Sequence, residues 1–367
     1  MKLLLVVPGL LPPWTEGRKN FIRDLIPVLQ DKVELRILST ATGLTPQSLP
    51  FSVPVNYASA KTKSLELISL HKAVKRHLTF SDGPDIVIHF PYGTFSGVRG
   101  VINKLGIIAA HRMVTKAGLP CLTVLYSMTH GDLLKLSNQV PTLATAESHN
   151  WSGHIINVGL DLKRLDPLSC PENNKRIIFM AGYHENKSSL LKNILYERGL
   201  IDIIQIGEQL AMEGFHLSVV APLLKHPQRL AELKSLLRKI SPSLPVTFFT
   251  QVNIQDLFGR HSMYIFPQRK NYNVFIPTSV LEAMAVGIPV IMPDLPMLNP
   301  LIGREDGFCW KYRARNPESL LQAVLDATLY WEETCRRALR GRLHVRQNWT
   351  IEHSARQLME IVMELVE

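Results

Sequence analysis

Glu282 lies one turn into the segment Pro277-Thr278-Ser279-Val280-Leu281-Glu282-Ala283-Met284-Ala285-Val286-Gly287, and its position allows two kinds of chemistry. A carboxylate on a short helix can accept hydrogen bonds from paired hydroxyls such as those of a ribose. The same carboxylate, three residues after Ser279, can complete a capping box that needs no ligand. Spacing alone leaves both readings open. Further on, the turn Asp294–Met297 could offer backbone N–H groups to an anion. Pro296 has no N–H, so Leu295 and Met297 are the candidate donors. Gly17, just before a helical stretch, could let a phosphate approach the free N–H groups of the helix start, or it could simply make a turn. His130, on a Gly-Asp loop, could bond a reacting group or could simply be solvated.

Missing motifs narrow the chemistry. No two glycines are spaced G-x-G, so the dinucleotide fingerprint is lacking. No Gly-Lys dipeptide occurs, so there is no P-loop, and no D-x-D pair is present to clamp a divalent metal on a nucleotide diphosphate. An anionic ligand would have to rely on backbone donors and cationic side chains.

The elements that must position these residues follow from hydrophobic periodicity. Leu3–Val7, Val33–Leu38, Asp85–Phe90 and Leu119–Leu125 read as strands, separated by helices at Arg18–Gln30, Ser64–Leu78 and Arg99–Lys116. The rhythm repeats with strands at Arg176–Ala181, Phe215–Ala221, Val246–Phe249, Met263–Phe266 and Ile288–Met292. The helices between them are Leu200–Met212, Pro227–Ile240, Asn253–Arg260 and Thr278–Val286, the last opened by Pro277 and ended by Gly287. Such alternation predicts an α/β protein with parallel sheets covered on both faces. Lys163–Lys175 reads as the linker between two such domains, and the cleft between them is the expected site.

The chain has 367 residues, 46% hydrophobic and 20% charged, which suits two globular domains and excludes disorder, collagen and coiled coil. The net charge is +10. The first 168 residues hold 18 basic and 11 acidic side chains, against 23 and 20 in the rest, so the excess lies mainly in the first half. Lys72, Lys75 and Arg76 share one predicted helix face, and Lys104, Arg112 and Lys116 share another. Such faces are either solvated or suited to anionic lipid head groups. No aromatic-interleaved basic stripe suggests nucleic acid. Cys121, Cys170, Cys309 and Cys335 lie far apart with no CxxC pair, so free thiols in a reducing, cytoplasmic compartment are expected. The apolar start is broken by Pro8, Pro12 and Pro13 and reads as a buried strand rather than a signal peptide.

The Pro277–Asp294 segment resembles the donor-binding signature of glycosyltransferase family 4, the retaining GT-B sugar transferases, and weaker likenesses occur in the family's order along nearly the whole chain. Pro12-Pro13-Trp14-Thr15-Glu16-Gly17 resembles the family's first loop, and Met128-Thr129-His130-Gly131-Asp132 the strand end with a functional histidine. Ile156-Asn157-Val158-Gly159-Leu160-Asp161 resembles the ending of the first domain. Phe179-Met180-Ala181-Gly182-Tyr183 and Glu197-Arg198-Gly199-Leu200 occupy the places of the family's diphosphate-binding elements. Asn348-Trp349-Thr350 resembles the start of the closing helix.

The resemblance implies a GT-B fold of two Rossmann-like parallel-sheet domains facing across a cleft. Residues 1–165 would bind the acceptor, 172–348 the nucleotide sugar, and 349–367 would form a helix crossing back to the first domain. It also implies a retaining, metal-independent hexosyl-type transferase using a UDP- or GDP-sugar, with no cofactor. The acceptor would be a glycan, lipid-linked or envelope component, with peripheral contact to an anionic membrane. Glu282 would hold the ribose, Arg198 the diphosphate through its forked guanidinium, and His130 the transferred sugar. Departures are visible. Val274 stands where the family has a second glutamate, which would leave the donor sugar to Asn271, Asn273 or backbone amides. Tyr183 replaces one of the basic pair, and Asn299 stands where a supporting glutamate is common. These departures define the alternative, a catalytically degenerate relative acting as scaffold or regulator.

Overall fold

The computed structural model describes residues 1–10, 17–41, 49–59, 66–78, 82–91, 97–125, 142–144, 154–181, 190–221, 227–250, 253–269, 276–302 and 307–367. His130, Asn271, Asn273, Val274, Tyr183 and the Pro12–Glu16 loop lie outside them. The chain divides into two compact units, the first built mainly from Met1–Leu160 and Trp349–Glu367, the second from Asp161–Asn271 and Pro277–Asn348.

In the first unit, β1 (Lys2–Val7), β2 (Glu34–Ala41), β3 (Val55–Ser59), β4 (Ile86–His89), β5 (Cys121–Leu125) and β6 (Thr142–Ala144) form a parallel sheet in the order β3-β2-β1-β4-β5-β6. The side-chain period of two splits β1 between two cores. Leu3, Leu5 and Val7 pack with Phe21, Ile22 and Leu25 of α1 (Gly17–Gln30), while Leu4 and Val6 pack with Leu70 and Val74 of α2 (Glu66–Leu78) and Val114 of α3 (Gly97–Lys116). Burial on both faces explains why the strands read as continuous apolar runs. The last helix, Ile351–Val366, belongs to this unit and lays Ile351, Ala355, Leu358 and Ile361 into the α1 side of the core.

The second unit repeats the design. β7 (Arg176–Met180), β8 (His216–Val220), β9 (Val246–Phe249), β10 (Met263–Ile265), β11 (Val290–Pro293) and β12 (Trp310–Tyr312) form a parallel sheet ordered β12-β11-β10-β7-β8-β9. Both sheets have the Rossmann order, with the reversal of direction between β1 and β4 in one and between β7 and β10 in the other.

Three features differ from the sequence reading. The helix expected over Leu200–Met212 is two pieces, α4 (Leu200–Gln205) and α5 (Gly207–Met212), broken where glycine weakens helical propensity. The stretch read as a linker is fastened to the second unit: Leu168 N–H donates to the Val286 carbonyl, and Arg342 donates to the Leu168 carbonyl. The cysteines were expected to be free, yet Cys170 and Cys335 form a disulfide with Cα atoms 5.7 Å apart. It ties residues 161–175 to the helix Trp331–Asn348, a pairing that spacing across 165 residues does not reveal. The inference of a reducing compartment from free thiols is thereby removed. Cys121 and Cys309 are free and buried, and burial pushes their thiols up to about 12.

Candidate functional site in the second unit

Between β7 and β10 the strand order reverses, and beyond the carboxyl ends of the strands at such a point an open α/β sheet offers a ligand crevice. Three segments supply it. The first reaches Arg198-Gly199 on the path from β7 to α4; the second is Phe266-Pro267-Gln268-Arg269 after β10; the third is Asp294–Leu298 after β11.

The first two are stitched together. Arg269 N–H donates to the Glu197 carbonyl at 3.3 Å. Arg198 Nη1 donates to Gln268 Oε1 at 3.2 Å, and Asp202 on α4 pairs with Arg269 at 3.4 Å. Between them Gly199 turns with φ +79°, and a Cβ there would fall 1.6 Å from the Pro267 carbonyl oxygen. The third segment joins through Gln268 Nε2, which donates to Met297 Sδ at 3.7 Å.

Between β10 and β11 lies α6 (Thr278–Val286). Pro277 is its N-cap and makes no side-chain cap, and Gly287 ends it in the left-handed conformation. The capping-box reading of Ser279 and Glu282 is therefore corrected: the helix starts two residues earlier than that box requires. Ser279 instead accepts a 3.0 Å hydrogen bond from the buried Tyr264 hydroxyl. Burial pushes the Tyr264 phenol well above its ordinary value; the Arg198 cation lowers it and the Glu282 carboxylate raises it further. Both charges, a cation and a half-buried carboxylate, thus lie within electrostatic reach of one hydroxyl. Such a pair can engage a diphosphate and a diol of one ligand.

The remaining expected residues fall as follows. Leu295 is buried, and its N–H donates to the Pro293 carbonyl at 2.9 Å, so that amide is engaged within its own turn. Met297 is brought to Gln268 through its side chain. Gly17 is the first residue of α1 in the first unit. Beside it Arg18, buried, donates to the Pro8 and Phe90 carbonyls and so ties together the segments leaving β1 and β4. Sequence reasoning did not single out Tyr264, Gln268, Asp202 or Arg18. Only Asp202 left a readable trace, as a lone acid inside the apolar run Leu200–Ile204. Among the described residues, no group of three or more His, Cys, Asp or Glu side chains is placed to hold a metal ion.

Asp202 is fully buried, and burial raises its carboxyl to about 6 from an ordinary 3.8, against the opposing pull of Arg269 and Arg315. The folded protein therefore holds this proton more tightly than the unfolded chain. Its contribution to stability is greatest below pH 3.8 and is lost as pH rises through about 6, to a total of about 3 kcal/mol. Asp202→Asn cannot titrate. The unfolding free energy of the wild type minus that of the variant should fall between about pH 4 and about pH 6. Calorimetric melts across that window check this, and a constant difference would rule it out.

The first unit carries the basic faces. Lys72, Lys75 and Arg76 on α2 and Arg112 and Lys116 on α3 are exposed, Lys104 is half-buried, and Leu105 is 60% exposed among them. The His71 ring donates to the Gly106 carbonyl and holds α2 against α3. Among the described residues, no helix is long and apolar enough to cross a membrane.

Residues 174–328, the greater part of the second unit, match the family model described as "Glycosyl transferases group 1". A comparison with curated proteins finds no match. Several solved structures share the fold over the whole chain. Anabaena HepE, solved with UDP and glucose, superposes with a TM-score of 0.70 at 14% identity, covering 100% of both chains. Sucrose-phosphate synthase from Thermosynechococcus elongatus gives 0.72 at 13%, covering 100% of this chain and 99% of the other. A glycosyltransferase from Rickettsia africae gives 0.71 at 15%, covering 100% and 98%. The fold is GT-B: two Rossmann-like parallel-sheet units.

Proposed function

We propose that this chain is a family 4 glycosyltransferase that moves a hexosyl-type sugar, with retention and without a metal, from a nucleotide diphosphate sugar to an acceptor. The observation that carries the reading is that Arg198 and Glu282 both act electrostatically on the Tyr264 hydroxyl, in the unit that matches the group 1 family model. In this reading Arg198 holds the diphosphate and Glu282 accepts hydrogen bonds from the ribose hydroxyls. Similar folds solved with UDP and with UDP-glucose support a uridine nucleotide as the first donor to test.

The chemistry asked of the protein is electrostatic. As the sugar leaves, negative charge grows on the diphosphate, and a fixed guanidinium stabilises it without reorganising. The absence of a D-x-D pair supports a site that neutralises this charge with cationic side chains and backbone amides. Asn273 and the amide of Met297 are assigned to the donor on the resemblance, as is Gly17 at the start of α1, and His130 is assigned to the transferred sugar; Leu295, whose N–H donates to the Pro293 carbonyl, is not assigned to the donor.

The acceptor, a glycan or a lipid-linked molecule, is assigned to the first unit. Its exposed cations on α2 and α3, with Leu105 between them, suit an anionic lipid surface at roughly 1 kcal/mol per basic residue. Failure to bind anionic vesicles at low salt would remove this part of the reading.

Glu282→Gln tests the donor assignment. The amide keeps the shape of the side chain but is a weaker acceptor, so UDP affinity should fall about tenfold while inorganic pyrophosphate binding and the melting temperature stay unchanged. An unchanged UDP affinity would withdraw Glu282 from the ribose. A wild-type protein that binds no UDP or GDP would favour the degenerate relative, for which Val274 in place of the family's second glutamate is the motive.

A further inference from the structure

Gln268 is a carboxamide only 3% exposed, set just after β10 where the order of strands across the parallel sheet reverses. Its oxygen accepts from Arg198 on the path from β7, and its nitrogen donates to the Met297 sulfur on the path from β11. One buried side chain thus links all three segments that form the crevice. Packing does not explain the choice of residue. A buried amide is costly to desolvate, a cost that an apolar side chain of similar size would avoid.

A role in setting the cation explains it. Arg198 and Arg269 enter the same junction and meet different partners. Arg269 faces the carboxylate of Asp202, which offsets its charge. Gln268 offers Arg198 an uncharged oxygen, which orients the guanidinium through a hydrogen bond from Nη1. An anion arriving at the crevice then meets a cation already oriented, and less side-chain entropy is lost on binding.

We propose that Gln268 is a positioning residue for Arg198, holding the guanidinium in the orientation that receives the diphosphate. This rests on the donor reading above. Near-isosteric Gln268→Met removes the accepting oxygen; Gln268→Glu keeps an oxygen but sets a negative charge on Arg198. Calorimetric titration of the full chain with uridine, UMP and UDP reads the effect by phosphate number. The expected result is a loss of about tenfold for UDP in Gln268→Glu and about threefold in Gln268→Met, smaller for UMP, with uridine unchanged.

Equal losses for uridine and UDP would show a merely structural role and overturn the proposal, as would unchanged UDP affinity in both variants. If neither variant folds, Gln268→Asn, which retracts the amide by one methylene, is read by the same criteria. A wild type that binds no UDP would instead refute the donor reading, whereas a wild type that binds it beside unaffected variants refutes only the role of Gln268.

Discussion

Arg198→Ala is expected to weaken UDP binding by between about tenfold and about a hundredfold while leaving uridine affinity unchanged, because a hydrogen bond to a charged group contributes roughly 1.5–3 kcal/mol. The guanidinium is half-buried and hydrogen-bonded to Gln268, so water screens its attraction for an anion less than it would for a solvated surface arginine. Arg198→Lys should recover part of the loss, since it restores the charge but not the planar fork. Isothermal titration of the three proteins with UDP and uridine checks this. Loss of uridine affinity in step with UDP would mean that the substitution acts through the fold.

The largest effect on stability is expected at Gly199. Replacement by alanine meets two penalties at once. The φ of +79° disfavours any side chain, by roughly 1–2 kcal/mol, and the new Cβ would sit 1.6 Å from the Pro267 carbonyl oxygen, where only a shift of backbone relieves the overlap. Together these should cost about 4 kcal/mol, which for a unit of this size lowers the melting temperature by about 10 °C. Gly118 provides the control. Its φ is +76°, but nothing lies within 4 Å of its Cβ position, so Gly118→Ala meets the backbone penalty alone. Equal shifts for the two variants would show that the Gly199–Pro267 approach is not tight in solution. Because that approach carries Arg198 to Gln268, Gly199→Ala should also weaken UDP binding at temperatures where the variant remains folded.

Much of the architecture could be read from the chain because fully buried parallel strands leave apolar runs that periodicity detects. The strands that escaped detection are the ones that leave the weakest trace. β6 and β12 have three residues each and form sheet edges, and β3 is a five-residue edge strand whose apolar run is broken by Asn56 and Ser59. The disulfide escaped for a different reason: Cys170 and Cys335 meet only through tertiary packing.

The candidate site shows the same division. Glu282 and Arg198 were found because their segments carry a recognisable order of residues around a helix start and a glycine turn. The spacing of Ser279 and Glu282 also matched a capping box, and only the observed start at Pro277 shows that Ser279 serves Tyr264 instead. Gln268 and Tyr264 left no local trace. A polar residue after a strand has many uses, and theirs arises because β7, β10 and β11 end side by side.

The position of a bound nucleoside diphosphate decides whether Arg198 and Glu282 form the donor site. A crystal structure of the full chain soaked with UDP tests this most directly. The diphosphate is expected beside Arg198 and the ribose hydroxyls on Glu282, at the carboxyl ends of β7, β10 and β11. UDP bound elsewhere, or no bound UDP at millimolar concentration in crystals that leave this crevice open, would contradict it.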